Sequence, residues 1–214
     1  YIMSANSDIR VNYIKNDTSS YLVDKKVELT FKVDVEDDNY TIHSADVKIA
    51  DLKLQLSGKV KELPNAFEVN VNADGKDMDI QSIFSLLPEK YKDQLADYES
   101  AGDFYFKVNI KGTISDEEIP KLTATFGINN GEVTQKSSSI TLKKLTLEGE
   151  YENKPYGKNQ EQTIDIKKLS TQIGNGRVEG SLKISDVGIP SIDAVLRAET
   201  DLNDVKEFLK LDTI

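Results

Sequence analysis

Apolar residues recur at every second position along most of this chain. Val27, Leu29, Phe31, Val33 and Val35 alternate with Glu28, Thr30, Lys32 and Asp34. Phe104, Phe106, Val108 and Ile110 alternate with Tyr105, Lys107, Asn109 and Lys111, and Leu122, Ala124, Phe126 and Ile128 continue the pattern. Leu145 and Leu147, Ile164 and Ile166, and Val178, Gly180, Leu182 and Ile184 repeat it. Side chains of a strand point to opposite faces in turn, so each segment reads as a strand with one oily and one hydrophilic face. Strands buried on both faces would read as solid apolar runs, so the pattern predicts antiparallel strands with one wetted face.

Composition sharpens this. The 214 residues are 38% hydrophobic and 30% charged, which predicts a thin core but is too apolar and too regular for disorder. The net charge of −10 comes without a cluster of Lys and Arg, which argues against a nucleic-acid surface and against attraction to anionic lipid headgroups. There is no cysteine and no apolar run long enough to span a bilayer as a helix, and no signal peptide is expected within these residues. The chain opens at Tyr1 and closes at Ile214 inside an apparent helix, so a piece of a longer protein is expected.

Turn residues separate the strands. Asp37-Asp38-Asn39, Leu63-Pro64-Asn65, Ser115-Asp116-Glu117-Glu118 and Gly188-Ile189-Pro190 are predicted turns, and Tyr156–Asn159 a longer polar loop. Asn130-Gly131 carries the strongest hairpin signal, because both residues tolerate positive φ. Ile80, Ile83, Phe84 and Leu87 share a helical stripe capped by Asp77 or Asp79. Tyr91, Leu95 and Tyr98 predict a second short helix, and Val205, Phe208 and Leu209 a third, capped by Asp201.

The segment Phe67–Leu86 can be slid forward so that Asp79 falls on Asp204. Phe67, Val69, Val71 and Ala73 then meet Ile192, Ala194, Leu196 and Ala198, and Ile80, Ile83, Phe84 and Leu86 meet Val205, Phe208, Leu209 and Leu211. This predicts a repeated strand–helix module, with residues 1–98 and 99–214 as approximate copies. No linker separates them. The expected fold is mainly β: one continuous, long, curved antiparallel sheet, groove-like or partly closed, with two or three short helices covering its apolar face.

Catalytic and metal chemistry find little support. His43 is the sole histidine, and no nucleophile accompanies it locally. One histidine and no cysteine leave a zinc site to carboxylates alone. A calcium loop opening at Asp34 would need Gly at its sixth position and Glu at its twelfth, where Asn39 and Ala45 stand. The glycines at 174–176 and 127–131 precede no helix and cannot cradle a phosphate. No enzyme, cofactor or metal is expected.

Three stretches resemble the AsmA family, in its C-terminal AsmA-like region. They are the strand Ala101–Gly112 with glycines near both ends, the strand–Asn-Gly–strand stretch from Ala124 to Gly149, and the strand pair from Ile173 to Ile184. The short helix ending at Leu86-Leu87-Pro88 fits as well. The resemblance covers residues from about 45 onward and rests on the order of individually weak motifs. It implies a periplasmic location in the cell envelope of double-membraned bacteria, a parent protein anchored in the inner membrane, and a curled sheet serving outer-membrane assembly or homeostasis. Related bridge-like lipid transfer proteins carry lipid on the apolar inner face of such a groove.

The candidate lipid-contacting residues are Phe104, Phe106, Val108, Ile110, Leu122, Ala124 and Phe126, with Leu54, Leu56, Val178 and Leu182. Phospholipid acyl chains are the expected partner, and apolar burial at about 25 cal/mol per Å² can hold them without polar recognition. An ordinary closed core is the competing and more economical expectation, because so long an uncovered stripe exceeds what soluble monomers expose. A third possibility is a structural module that pairs edge to edge with envelope proteins.

Overall fold

The computed structural model describes residues 1–16, 19–21, 23–84, 95–156, 159–186 and 190–209. Its strands are β1 (Ile2–Val11), β2 (Ile14–Asn16), β3 (Ser19–Tyr21), β4 (Lys25–Glu36), β5 (Asn39–Ile49), β6 (Leu52–Leu63), β7 (Ala66–Asp79), β8 (Tyr98–Ser115), β9 (Lys121–Gln135), β10 (Ile140–Tyr156), β11 (Asn159–Ile173), β12 (Gly176–Ser185) and β13 (Ser191–Glu199). Helix α1 (Ile80–Phe84) follows β7, and helix α2 (Leu202–Leu209) follows β13. Eleven strands form one open antiparallel sheet in the order β1-β4-β5-β6-β7-β8-β9-β10-β11-β12-β13, with β2 and β3 paired as a separate ribbon. The sheet runs without a break across residues 98 and 99.

Short turns account for the meander. Asp37, with φ 49°, closes the β4–β5 hairpin, where Glu36 pairs with Asn39. Pro64 and Asn65 close β6–β7, and the φ of 64° at Asn65 is what the second central residue of such a turn requires. Ser115 Oγ accepts the N–H groups of Glu117 and Glu118 before β9 begins. Positions 188 and 189 of the predicted Gly188–Pro190 turn lie outside the described residues. Of the predicted loop Tyr156–Asn159, the two ends are the last pair of the β10–β11 ladder, and positions 157 and 158 lie outside the described residues.

Asn130-Gly131 does not make a hairpin. Both residues lie inside β9, where an extra residue forms a β-bulge against β8 and β10. Asn130 has φ 49°, and positive φ serves a bulge as well as a turn. The hairpin lies further on at Lys136–Ser139. There Gln135, fully buried, accepts the N–H and hydroxyl of Ser138 at 2.6 Å each.

The helices cover one end of the sheet. Asp79 is the cap of α1, accepting the Gln81 N–H at 2.8 Å, while Asp77 sits in a β7 bulge with φ 54°. Asp201 caps α2 through the Asn203 N–H at 2.9 Å. Ile80 and Phe208 are buried, and Phe208 meets Tyr98 edge-on with ring centres 5.6 Å apart. Tyr98 opens β8 and is not the end of a helix, although Leu95 is helical; Tyr91 and Leu87 lie outside the described residues. Buried Leu52, Met78, Ile80, Leu145, Ile173 and Phe208 lie toward this end, whereas Val33, Val35, Ala45 and Val69 are buried further along the sheet.

Candidate functional site: the apolar face of the sheet

Cross-strand partners point to the same side of a sheet, so the register shows which residues share a face. One ladder row crosses all eleven strands: Ala5, Phe31, Ala45, Leu56, Ala73, Val108, Ala124, Tyr151, Ile164, Ile184 and Ile192. No polar side chain interrupts it except the phenol of Tyr151, whose pKa burial raises. A second row runs Gly75, Phe106, Phe126, Gly149, Ile166, Leu182 and Ala194. A third runs Met3, Val33, Ile42, Gly58, Val71, Ile110 and Leu122.

These rows place the predicted residues together. Phe106, Val108, Ile110, Leu122, Ala124, Phe126, Leu56 and Leu182 belong to them, and Phe104, Leu54 and Val178 continue the same face along their strands. All eleven are partly exposed. The rows also contain Ala73, Tyr151, Ile164 and Ile184, which single-strand reading did not select as site residues. Tyr151 stands alone between Glu150 and Glu152, and only the ladder reveals its neighbours.

Bulges keep the face apolar. In β5 the apolar positions run Tyr40 and Ile42, then Ala45, Val47 and Ile49, with the phase shifting at the bulge around His43. In β7 the shift falls between Gly75 and Met78, in β9 between Ile128 and Gly131, in β10 between Leu142 and Leu145, and in β11 between Ile166 and Leu169. Each extra residue would otherwise turn the rest of its strand inside out. Thr171 Oγ1 donates to the Lys143 carbonyl at 3.0 Å beside the β10 bulge, so that backbone group keeps a partner.

Glycines let aromatic rings lie down on this face. A Cβ on Gly149 would stand 2.6 Å from Cζ of Phe126, and one on Gly75 would stand 3.0 Å from Phe106. The two adjacent rings thus spread in opposite directions over flanking glycines. Most of the face is partly exposed, although Val33, Val35, Ala45 and Val69 on it are buried. α1 lies against β7 and β8, and α2 against β10, at the helical end.

The opposite face is hydrophilic and bears the described concavities. One, of about 750 Å³, is floored by Asn72, Asn109, Thr123, Thr125 and Thr163 and walled by Lys107, Glu150, Glu152 and Lys183. Asn109 Nδ2 donates to Asn72 Oδ1 at 2.9 Å and Asn70 Oδ1 at 3.2 Å, tying β8 to β7. His43 Nε2 lies 2.7 Å from Asp34 Oδ2, with both side chains about half exposed. Among the described residues no group of His, Asp and Glu could hold a metal ion, and no helix is long and apolar enough to cross a membrane.

The fold and its faces define an open antiparallel β-meander with one apolar and one hydrophilic surface. Comparison with family models, characterised proteins and solved structures finds no match for this chain.

Proposed function

We propose that this chain is a non-catalytic, periplasmic part of an AsmA-like envelope protein whose apolar sheet face shelters phospholipid acyl chains in transit. The observation that carries the reading is the row from Ala5 to Ile192, apolar on every strand but for the Tyr151 phenol and at least partly exposed everywhere except at Ala45. Ten inter-strand steps of about 4.8 Å make it roughly 48 Å long before twisting. That exceeds the ~30 Å hydrocarbon thickness of a bilayer, so acyl chains can lie across several strands. Lipid tails stand in for the missing roof, which accounts for so much partly exposed apolar surface. In this reading β7 with α1 and β13 with α2 are two copies of one strand–helix module, and the parent protein is anchored in the inner membrane.

Two measurements test this. Lipid extraction and mass spectrometry of protein purified from bacteria should find phospholipid, and the protein should take up a fluorescent phospholipid from liposomes. Phe106→Asp should abolish uptake while leaving the circular dichroism spectrum of the sheet intact. Lipid-free protein that takes up none overturns the reading. Unfolding by Phe106→Asp would instead favour an ordinary closed core. A structural module joined to envelope partners by strand pairing is the second reading, favoured by the exposure of Ile192, Val195 and Leu196 along β13.

A further inference from the structure

The geometry points to β13 as a self-complementary edge that pairs antiparallel with β13 of a second copy of this chain. This does not rest on the lipid reading. Every side chain of β13 is exposed, and β12 supplies its one neighbouring strand. α2 turns inward onto β10 and Tyr98, leaving the outer edge of β13 clear among the described residues. An uncovered edge of this length offers a row of backbone donors and acceptors to an added strand.

The side chains of β13 select the partner. Two copies related by a two-fold axis through Val195 bring Val195 opposite itself. Asp193 then faces Arg197 of the second copy, and Arg197 faces Asp193, on the hydrophilic side. Among the described residues neither makes an ion pair within its own chain. On the apolar side Leu196 faces Ala194 and Ile192 faces Ala198, large against small. The other edge lacks this complementarity, because Arg10 is held by Asp24 at 2.6 and 2.9 Å and Asp8 pairs with Lys26 at 3.2 Å. A two-fold axis perpendicular to the sheet is the isologous arrangement of most dimers. It also keeps both apolar faces on the same side, doubling the sheet.

Light scattering during size exclusion, on the full chain, should show a concentration-dependent dimer. Asp193→Arg and Arg197→Asp should each be monomeric, since each sets like charges opposite one another. Mixed in equal amounts they should form a heterodimer, because the two reversals then complement. The chain has no cysteine, so Val195→Cys offers a readout independent of charge. Paired residues in an antiparallel ladder have Cα atoms about 4.5–5.5 Å apart, within disulfide reach. This variant should form a disulfide-linked dimer under mild oxidation, whether or not the charge variants fold. A wild-type chain that stays monomeric with Val195→Cys uncrosslinked overturns the inference. So does a dimer unaffected by either charge reversal, which would use another surface such as β1.

Discussion

Single glycines decide where this sheet can exist. Gly58 adopts φ 144° in β6, and a Cβ there would stand 2.2 Å from the Asn70 carbonyl oxygen. Backbone cannot retreat cheaply, so Gly58→Ala should cost about 2–3 kcal/mol, measured by urea denaturation. Gly149 differs, since the obstacle is the far end of a side chain. Gly149→Ala gains roughly 0.5–1 kcal/mol of strand preference and loses about 1–3 kcal/mol through displacement of Phe126. The net is a loss on the order of 1 kcal/mol. Lifting the ring off the floor should also weaken lipid uptake more than the small loss of stability accounts for. Surface pairs act through pH instead. Lys121 Nζ lies 2.6 Å from Glu152 Oε1, and this hydrogen bond and charge hold the Glu152 carboxyl below its ordinary pKa. A lowered folded-state pKa adds stability that is complete above the ordinary carboxylate value and lost as pH falls through the folded one. The melting-temperature difference between wild type and Lys121→Met should therefore be largest near neutral pH and shrink in acid.

At the scale of elements, alternation revealed the strands and concealed the bulges. Phe104 to Ile110 keeps one phase throughout, so its face was legible from the sequence. In β9 the apolar phase slips by one residue between Ile128 and Gly131, and the bulge residues there carry the chemistry of a hairpin. A bulge and a turn both use positive φ, and only the partner strand distinguishes them. Asn130→Val should cost about 1–2 kcal/mol by placing a β-branched residue in the left-handed region, whereas Asn130→Gly should be tolerated; thermal denaturation of both decides it. The apolar face was legible to the same degree: the eleven selected residues share it, but the place of Tyr151 on it needed the ladder to be recognised. The helices show a further contrast. Asp201 was legible as a cap and the structure chooses Asp79 over Asp77, yet the two caps are not equivalent positions when Asp79 is laid on Asp204. Among the described residues, α2 is held by Phe208 on Tyr98 and by the Tyr98 hydroxyl donating to the Phe208 carbonyl at 3.1 Å. Phe208→Ala should release α2 while the sheet persists, seen as hydrogen exchange rising at 202–209 and not in β8–β11.

Across the whole molecule, eleven antiparallel strands keep their oily side chains on one face by shifting phase wherever a bulge intervenes, and α1 and α2 shelter only one end of it. A protein that buried this face in its own core would need a second layer as wide as the sheet, and the described residues do not supply one. In the proposed function acyl chains supply that layer. The most direct test of this is photo-crosslinking in lipid vesicles with benzoyl-phenylalanine placed singly at 105, 106, 107 and 108. Adducts to phospholipid at 106 and 108, with none at 105 and 107, are the expected result. Adducts at all four positions, at none, or at 105 and 107 alone would contradict it.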